Sequence, residues 1–145
     1  METDMSDEMI RFHFDVDGDD FSSAGAASVD VKKRLRQLGF SPDVIRRVAI
    51  AMYEGEINMV IHADGGTVEV EIGDDDITRI LSDHGPGIAN VELAMQEGYS
   101  TARDNIRSLG FGAGMGLPNM KKYTDDMKIE TEIGVGTTVI MKVNV

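Results

Sequence analysis

Two stretches of this 145-residue chain alternate apolar and polar residues on either side of a tight turn. They constrain the fold more than any other feature of the sequence. In the first, Val68, Val70 and Ile72 interleave with Glu69 and Glu71, Asp74-Asp75-Asp76 turns the chain, and Ile77 to Leu81 runs back. In the second, Met127, Ile129, Thr131 and Ile133 lead into Gly134-Val135-Gly136, and Thr137 to Val145 returns. Period-two alternation marks a half-buried strand, and so short a turn joins antiparallel neighbours. A doubly wound parallel sheet is thereby disfavoured.

The remaining elements follow from periodicity and punctuation. Ile10, Phe12, Phe14 and Val16 alternate with Arg11, His13 and Asp15 as an N-terminal strand, ended by Gly18-Asp19-Asp20. Residues from Phe21 to Leu38 read as a helix stopped by Gly39. Ser41-Pro42 opens a second helix, with Ser as N-cap and Pro at the first position. Its apolar stripe runs through Val44, Ile45, Val48, Ala49, Met52, Ile57, Val60 and Ile61 to Ala63, where Asp64-Gly65-Gly66 stops it. A short helix is expected from Asn90 to Gln96, a long functional loop from Gly98 to Gly116, and a helix from Met115 to Tyr123. The expected fold is α+β: a two-layer sandwich whose mixed, mostly antiparallel sheet is covered on one face by helices. Residues 1–8 are expected to be a flexible N-terminus and residues 9–145 a single domain.

Composition narrows the function. Fourteen Lys and Arg against twenty-six Asp and Glu give a formal charge of −12, which argues against a broad nucleic-acid surface. No run of about 18 apolar residues is present, so no membrane span is expected. The acidic Met1 to Glu8 segment is unlike a signal peptide. With no cysteine there is no disulfide or thiolate metal site, which fits a reducing cytoplasm.

Gly110, Gly112, Gly114 and Gly116 alternate with Phe111, Ala113 and Met115, and the run opens into Leu117-Pro118-Asn119-Met120. Glycine at every second position bares backbone N–H groups and permits positive φ, which suits a loop that wraps a phosphate. A mobile linker is the plain alternative. Neither common phosphate loop fits. No Gly-Lys pair exists for a Walker A loop, and counting from Gly110 or Gly112 places Met115 or Leu117 where a dinucleotide fingerprint needs its third glycine.

On the second helix Glu54, Asn58 and His62 recur at i, i+4 and i+8, along one line, with Glu56 roughly opposite. An ordinary solvated stripe would look the same. A Glu–Asn pair also has a chemical use: the amide oxygen suits Mg²⁺, and a carboxylate one turn away can accept a proton during phosphoryl transfer. His62 is assigned a structural role. Asp83-His84-Gly85-Pro86-Gly87-Ile88 reads either as a plain turn or as a carboxylate placed for an exocyclic amine beside glycines that admit a flat base.

In this order and spacing the segments resemble the GHKL ATPase superfamily of the Bergerat fold. Glu54-x-x-x-Asn58 looks like its N box, Asp83-x-Gly85-x-Gly87 its first glycine box, and Gly110 to Gly116 its second. Gly134-Val135-Gly136-Thr137-Thr138 looks like its closing Gly-x-Gly-Thr motif. The resemblance covers nearly the whole chain and is nearest to the bacterial anti-sigma-factor and switch-protein serine/threonine kinases, particularly those with a Gly-Leu-Pro step such as Gly116-Leu117-Pro118.

The resemblance implies ATP and Mg²⁺ as cofactors. Asp83 would meet the adenine amino group, helped by Thr137; Gly85, Gly87 and Ile88 would line the base and ribose. Asn58 would hold the metal, and Glu54 would be the catalytic base toward a partner's Ser or Thr. Backbone N–H groups at Gly110, Gly112, Ala113, Gly114, Met115, Gly116 and Leu117 would cradle phosphates, with Gly98 to Gly116 as lid and Arg103 or Arg107 toward the γ-phosphate. The implied partner is a small regulatory protein of the anti-anti-sigma type carrying a phosphorylatable Ser or Thr, with a sigma factor or phosphatase as further candidates. A cytoplasmic homodimer is implied too, and the strand bearing Phe12 and Phe14 is the candidate pairing edge. The alternative is a non-catalytic module whose bound nucleotide decides whether it sequesters or activates a partner. Gly55, in mid-helix, is expected to make room for a ligand or partner. Glu56 and His84 depart from the family pattern.

Overall fold

The computed structural model describes residues 9–18, 25–63, 65–88, 90–95 and 116–145. The expected tail 1–8 and most of the expected loop 98–116, with Gly110, Gly112, Ala113, Gly114 and Met115, lie outside the described residues. In chain order the elements are β1 (Ile10–Asp17), α1 (Ala26–Gln37), α2 (Pro42–Ala63), β2 (Gly65–Ile72), β3 (Asp76–Ser82), α3 (Val91–Ala94), α4 (Gly116–Lys122), β4 (Asp126–Glu132) and β5 (Gly136–Asn144).

The strands form one sheet in the order β1-β2-β3-β5-β4. Each of its four pairings is antiparallel, so the sheet is narrower in type than the mixed one expected. Alternation decides its faces. Val68, Val70, Ile72, Ile77, Leu81, Val139, Met141 and Val143 point to the covered side and are buried. Glu69, Glu71, Thr78 and Lys142 fall on the other side of the same strands. Across the covered face lie Val31 and Leu35 of α1, Ile45, Val48, Met52 and Met59 of α2, and Leu117 and Met120 of α4. Each such side chain, fully buried, contributes roughly 1.5–3 kcal/mol. The result is the two-layer α/β sandwich.

Local chemistry sets the boundaries. Gly39 has φ +85°, and its N–H and that of Phe40 bond back to Arg36 and Leu35, closing α1. The Ser41 hydroxyl accepts the Val44 N–H at 3.3 Å, capping α2 as its sequence predicts. α1 begins at Ala26, after Gly25 at φ +93°, instead of at Phe21; residues 19–24 lie outside the described set. Gly65 and Gly66 do not merely stop α2. They are the first residues of β2, where a β-carbon on Gly66 would run into the Ser82 carbonyl oxygen and one on Gly65 into that of Val16. The short helix expected over 90–96 is α3.

Candidate active site

The site is built on two supports, the middle of α2 and the carboxyl end of β3. On α2, Glu54, Asn58 and His62 are half-buried, along the line their spacing predicts. The helix lies close on the sheet here because residue 55 is glycine. A β-carbon at Gly55 would collide with Leu81 of β3 and sit 3.5 Å from Met120 Sδ. The space expected at Gly55 for a ligand is therefore filled by core side chains, and the glycine serves helix–sheet approach.

Burial pushes the Glu54 carboxyl above the ordinary carboxylate range, and a hydrogen bond with the Asn119 side chain on α4 opposes that rise. One turn along, Asn58 meets the start of α4. A β-carbon on Gly116 would stand 2.9 Å from both Oδ1 and Nδ2 of the Asn58 amide. A side chain at residue 116 would push the Asn58 amide aside. The last glycine of the ladder is thus placed directly on the Asn58 side chain. Leu117 beside it is buried and packs into the core.

At the end of β3, Asp83 does two things with one oxygen. Its Oδ1 accepts the Gly85 N–H at 2.9 Å and the Thr137 N–H at 3.1 Å. The Asp83 N–H in turn donates to the Thr137 carbonyl at 2.9 Å. This locks the first glycine box to the first residues of β5, which accounts for Gly136: a β-carbon there would run into the Asp83 carbonyl oxygen. Gly87, at φ +83°, takes a left-handed turn where a β-carbon would lie 2.6 Å from the Glu132 carbonyl oxygen. The Ile88 N–H then donates to the Thr131 hydroxyl at 2.8 Å, and that hydroxyl pairs with the Thr137 hydroxyl at 2.9 Å. Gly134 N–H closes the ring on the Pro86 carbonyl at 2.9 Å.

Beside Asp83 opens a cavity of about 360 Å³ lined by His62, Ala63, Gly65, Gly66, His84, Gly85 and Pro86. His62 and His84 are wall residues of it, a role their sequence positions did not disclose. Burial lowers the His62 pKa, against the opposing pull of the Asp83 carboxylate. Gly85 abuts the end of α2, where a β-carbon would be 2.6 Å from Ala63 Cβ.

The sequence reading gave no role to Asn119, Thr131 or Glu56. Thr131 joins Ile88 to Thr137, but a threonine on a strand signals only β-propensity. Its facing of Thr137 is a matter of register. Glu56, expected opposite Glu54, is 2% exposed and organises α1. Its carboxylate accepts the backbone N–H groups of Gly25, Ala27 and Ser28, at 3.1, 3.2 and 2.6 Å, and the Ser28 hydroxyl. These are N–H groups that the first turn of a helix cannot satisfy itself.

The two-layer sandwich thus carries a half-buried carboxylate and an amide one turn apart on α2, and a glycine-walled cavity between the end of that helix and the turn after Asp83. The profile of the histidine kinase-like ATPase domain matches residues 21–143, and the chain belongs to that family. It is 35% identical over 122 residues to an anti-sigma F factor of Clostridium beijerinckii, covering 80% of this chain and 82% of that one. Against the anti-sigma F factor of Clostridium acetobutylicum it is 36% identical over 121 residues, covering 80% and 81%. A crystal structure of the RsbU and RsbW domains of a Mycobacterium tuberculosis protein superposes with a TM-score of 0.62 at 16% identity. That match covers 92% of this chain and 32% of the other, and it shows the fold. The GHKL resemblance is thus borne out, and the chain is an ATPase domain of the anti-sigma-factor type.

Proposed function

We propose that this protein is an ATP- and Mg²⁺-dependent serine/threonine kinase that phosphorylates a small regulatory protein of the anti-anti-sigma type. The observation that carries the reading is the Glu54–Asn58 pair: a carboxylate whose burial raises its basicity, one helical turn from an amide oxygen donor. The residues suit the implied cofactors. Among the described residues no cluster of three or more His, Cys, Asp or Glu could hold a metal alone. Asn58 would accordingly share a hard cation with phosphate oxygens and water. When bound, ATP and Mg²⁺ would supply the transferred phosphoryl group and the neutralisation of its charge.

The protein's own groups divide the remaining work. Glu54 would accept the proton of a partner's Ser or Thr hydroxyl as that oxygen takes the γ-phosphoryl group and ADP leaves. Asp83, with Oδ1 engaged by backbone N–H groups, presents its other oxygen to the exocyclic amine of adenine. Thr137, Gly85, Gly87 and Ile88 form the wall against base and ribose, held in shape by Thr131. Backbone N–H groups from Gly110 to Leu117 would cradle the phosphates, and Gly116 at the end of that run lies against Asn58. Partner contact, including homodimerisation and binding of a sigma factor, belongs to the same proposal. The names of the anti-sigma F factor relatives support the contact with a sigma factor, and for a homodimer the supporting observation is that β1 lies at a sheet edge. No helix among the described residues is long and apolar enough to cross a membrane.

Mass spectrometry of candidate small regulatory proteins, after incubation with the protein, ATP and Mg²⁺, tests the reading. Phosphate on a Ser or Thr is the expected result. Tight ATP binding with no transfer to any candidate would favour a nucleotide-dependent binding module instead.

A further inference from the structure

We infer that Asn119 is the positioning residue for Glu54, its side-chain amide holding the carboxylate that lies one turn from Asn58. The inference rests on the kinase reading for what Glu54 does, and on the packing of α4 against α2 for the contact itself.

Three contacts fix the register between the two helices. Gly116 sits on the Asn58 amide. Met120, 1% exposed, comes up against Gly55, with Sδ 3.5 Å from where a β-carbon of residue 55 would be. Between them, Asn119 hydrogen-bonds Glu54 through its side chain. Residues 54, 55 and 58 share one face of α2, and residues 116, 119 and 120 share one face of α4, as i, i+3 and i+4 spacing requires. With Gly116 and Met120 both held, Asn119 cannot slide along α2 without breaking a close contact on one side of it.

The chemistry gives the contact a direction. An ionised carboxylate only accepts hydrogen bonds, so the Asn119 amide N–H donates. A donor on the charged form favours that form, while burial disfavours it. Among the described residues, these are the two influences that act on the Glu54 carboxyl. Asn119 therefore favours the ionised form of a half-buried carboxylate, the form able to accept a proton, and holds it toward α4. The side chain touches no reacting atom. It acts through Glu54.

The test is a ¹³C NMR titration of the Glu54 side-chain carboxyl in wild type, Asn119→Leu and Asn119→Asp, with Glu54→Gln used to assign the resonance. Leu removes the donor at similar size. Asp keeps the shape and adds a like charge. The expected midpoints rise in the order wild type, Leu, Asp, the first step by about one pH unit. The acid limb of phosphoryl transfer should move with the midpoint, kcat should fall, and KM for ATP should stay unchanged. A purely structural role for Asn119 would lower the melting temperature without this order. An Asn119→Leu protein that is folded and titrates at the wild-type midpoint overturns the inference; if that variant does not fold, an unmoved midpoint in Asn119→Asp does so. A midpoint that moves while Glu54→Gln transfers phosphate at the wild-type rate leaves the Asn119 contact standing and overturns the kinase reading.

Discussion

Asp83 spends one carboxylate oxygen on holding its own surroundings together, and this allows a substitution that separates structure from binding. Asp83→Asn keeps an Oδ1 for the Gly85 and Thr137 N–H groups, but replaces the other oxygen with an NH₂ that would face the adenine amine. We predict that titration calorimetry shows Mg²⁺·ATP affinity falling by about 10- to 100-fold, with the melting temperature nearly unchanged. Undiminished affinity would remove Asp83 from the adenine site. Glu54 invites a prediction of opposite character. Its folded pKa is raised by burial, so the folded state binds the proton more tightly than the unfolded chain between the ordinary value and the raised one. Stability from this group is gained as pH falls through that window and lost as pH rises through it. Glu54→Gln should melt at or above the wild-type temperature at pH 7, and the difference should shrink as the pH falls toward 4.5, the ordinary value. A variant less stable at neutral pH would show Glu54 to be structural. The placing of Glu54 and Asn58 along one line of α2, and of Asp83 just past β3, was legible in the sequence because helical spacing and strand-ending turns are local signals. Thr131 and Asn119 were not. Each acts across an element boundary, on a partner chosen by register and helix packing, and each is an unremarkable residue where it stands.

At the scale of elements, α2 is asked to serve three neighbours at once. Its Glu54–Asn58 line meets α4, Gly55 lets it settle on Leu81 of β3, and Glu56 gathers the start of α1. The stripe that predicted the helix from Ser41-Pro42 to Ala63 was legible, because 3.6-residue periodicity and an N-cap are local signals. The start of α1 was not. Gly25 has no side chain with which to cap a helix, and the acceptor for the first-turn N–H groups comes from residue 56. Non-local capping leaves no mark on the capped segment. Replacing Glu56 by Ala should therefore cost roughly 2–4 kcal/mol in urea unfolding, because several first-turn N–H groups lose their acceptor at once. Amide exchange should quicken most at Ala27 and Ser28. A loss below about 0.5 kcal/mol would mean that water replaces the carboxylate there.

Over the whole molecule, the two hairpins could be read from their turns, whereas the insertion of β5 between β3 and β4 could not. That pairing joins residues about sixty positions apart and depends on which strand best covers the α2 side of the sheet. It is also what brings Thr137 to Asp83. Between the two layers lies Arg79, 0% exposed on the inner face of β3. It donates to the Met141 carbonyl and to the Val48 carbonyl of α2, both at 3.4 Å, while its Nη2 has no hydrogen-bond partner among the described residues. Burial drives its pKa down to about 9, the nearby Arg47 adds to the fall and Asp125 opposes it. Long hydrogen bonds repay little of the cost of removing a charge from water. Arg79→Met should thus be neutral or more stable by about 1–4 kcal/mol in chemical denaturation, and a comparable loss would show the guanidinium to be a net tie between layers. The layers matter to function because they bring α2 and the end of β3 to one cavity, and the central claim is that this arrangement transfers phosphate. The most direct measurement is single-turnover transfer from γ-labelled ATP with Mg²⁺ to a small anti-anti-sigma-type protein, by wild type and by Glu54→Gln at equal ATP occupancy. The account predicts label on a Ser or Thr with wild type and a rate lower by roughly 10²–10⁴-fold with Glu54→Gln. Equal transfer by the two proteins would contradict it.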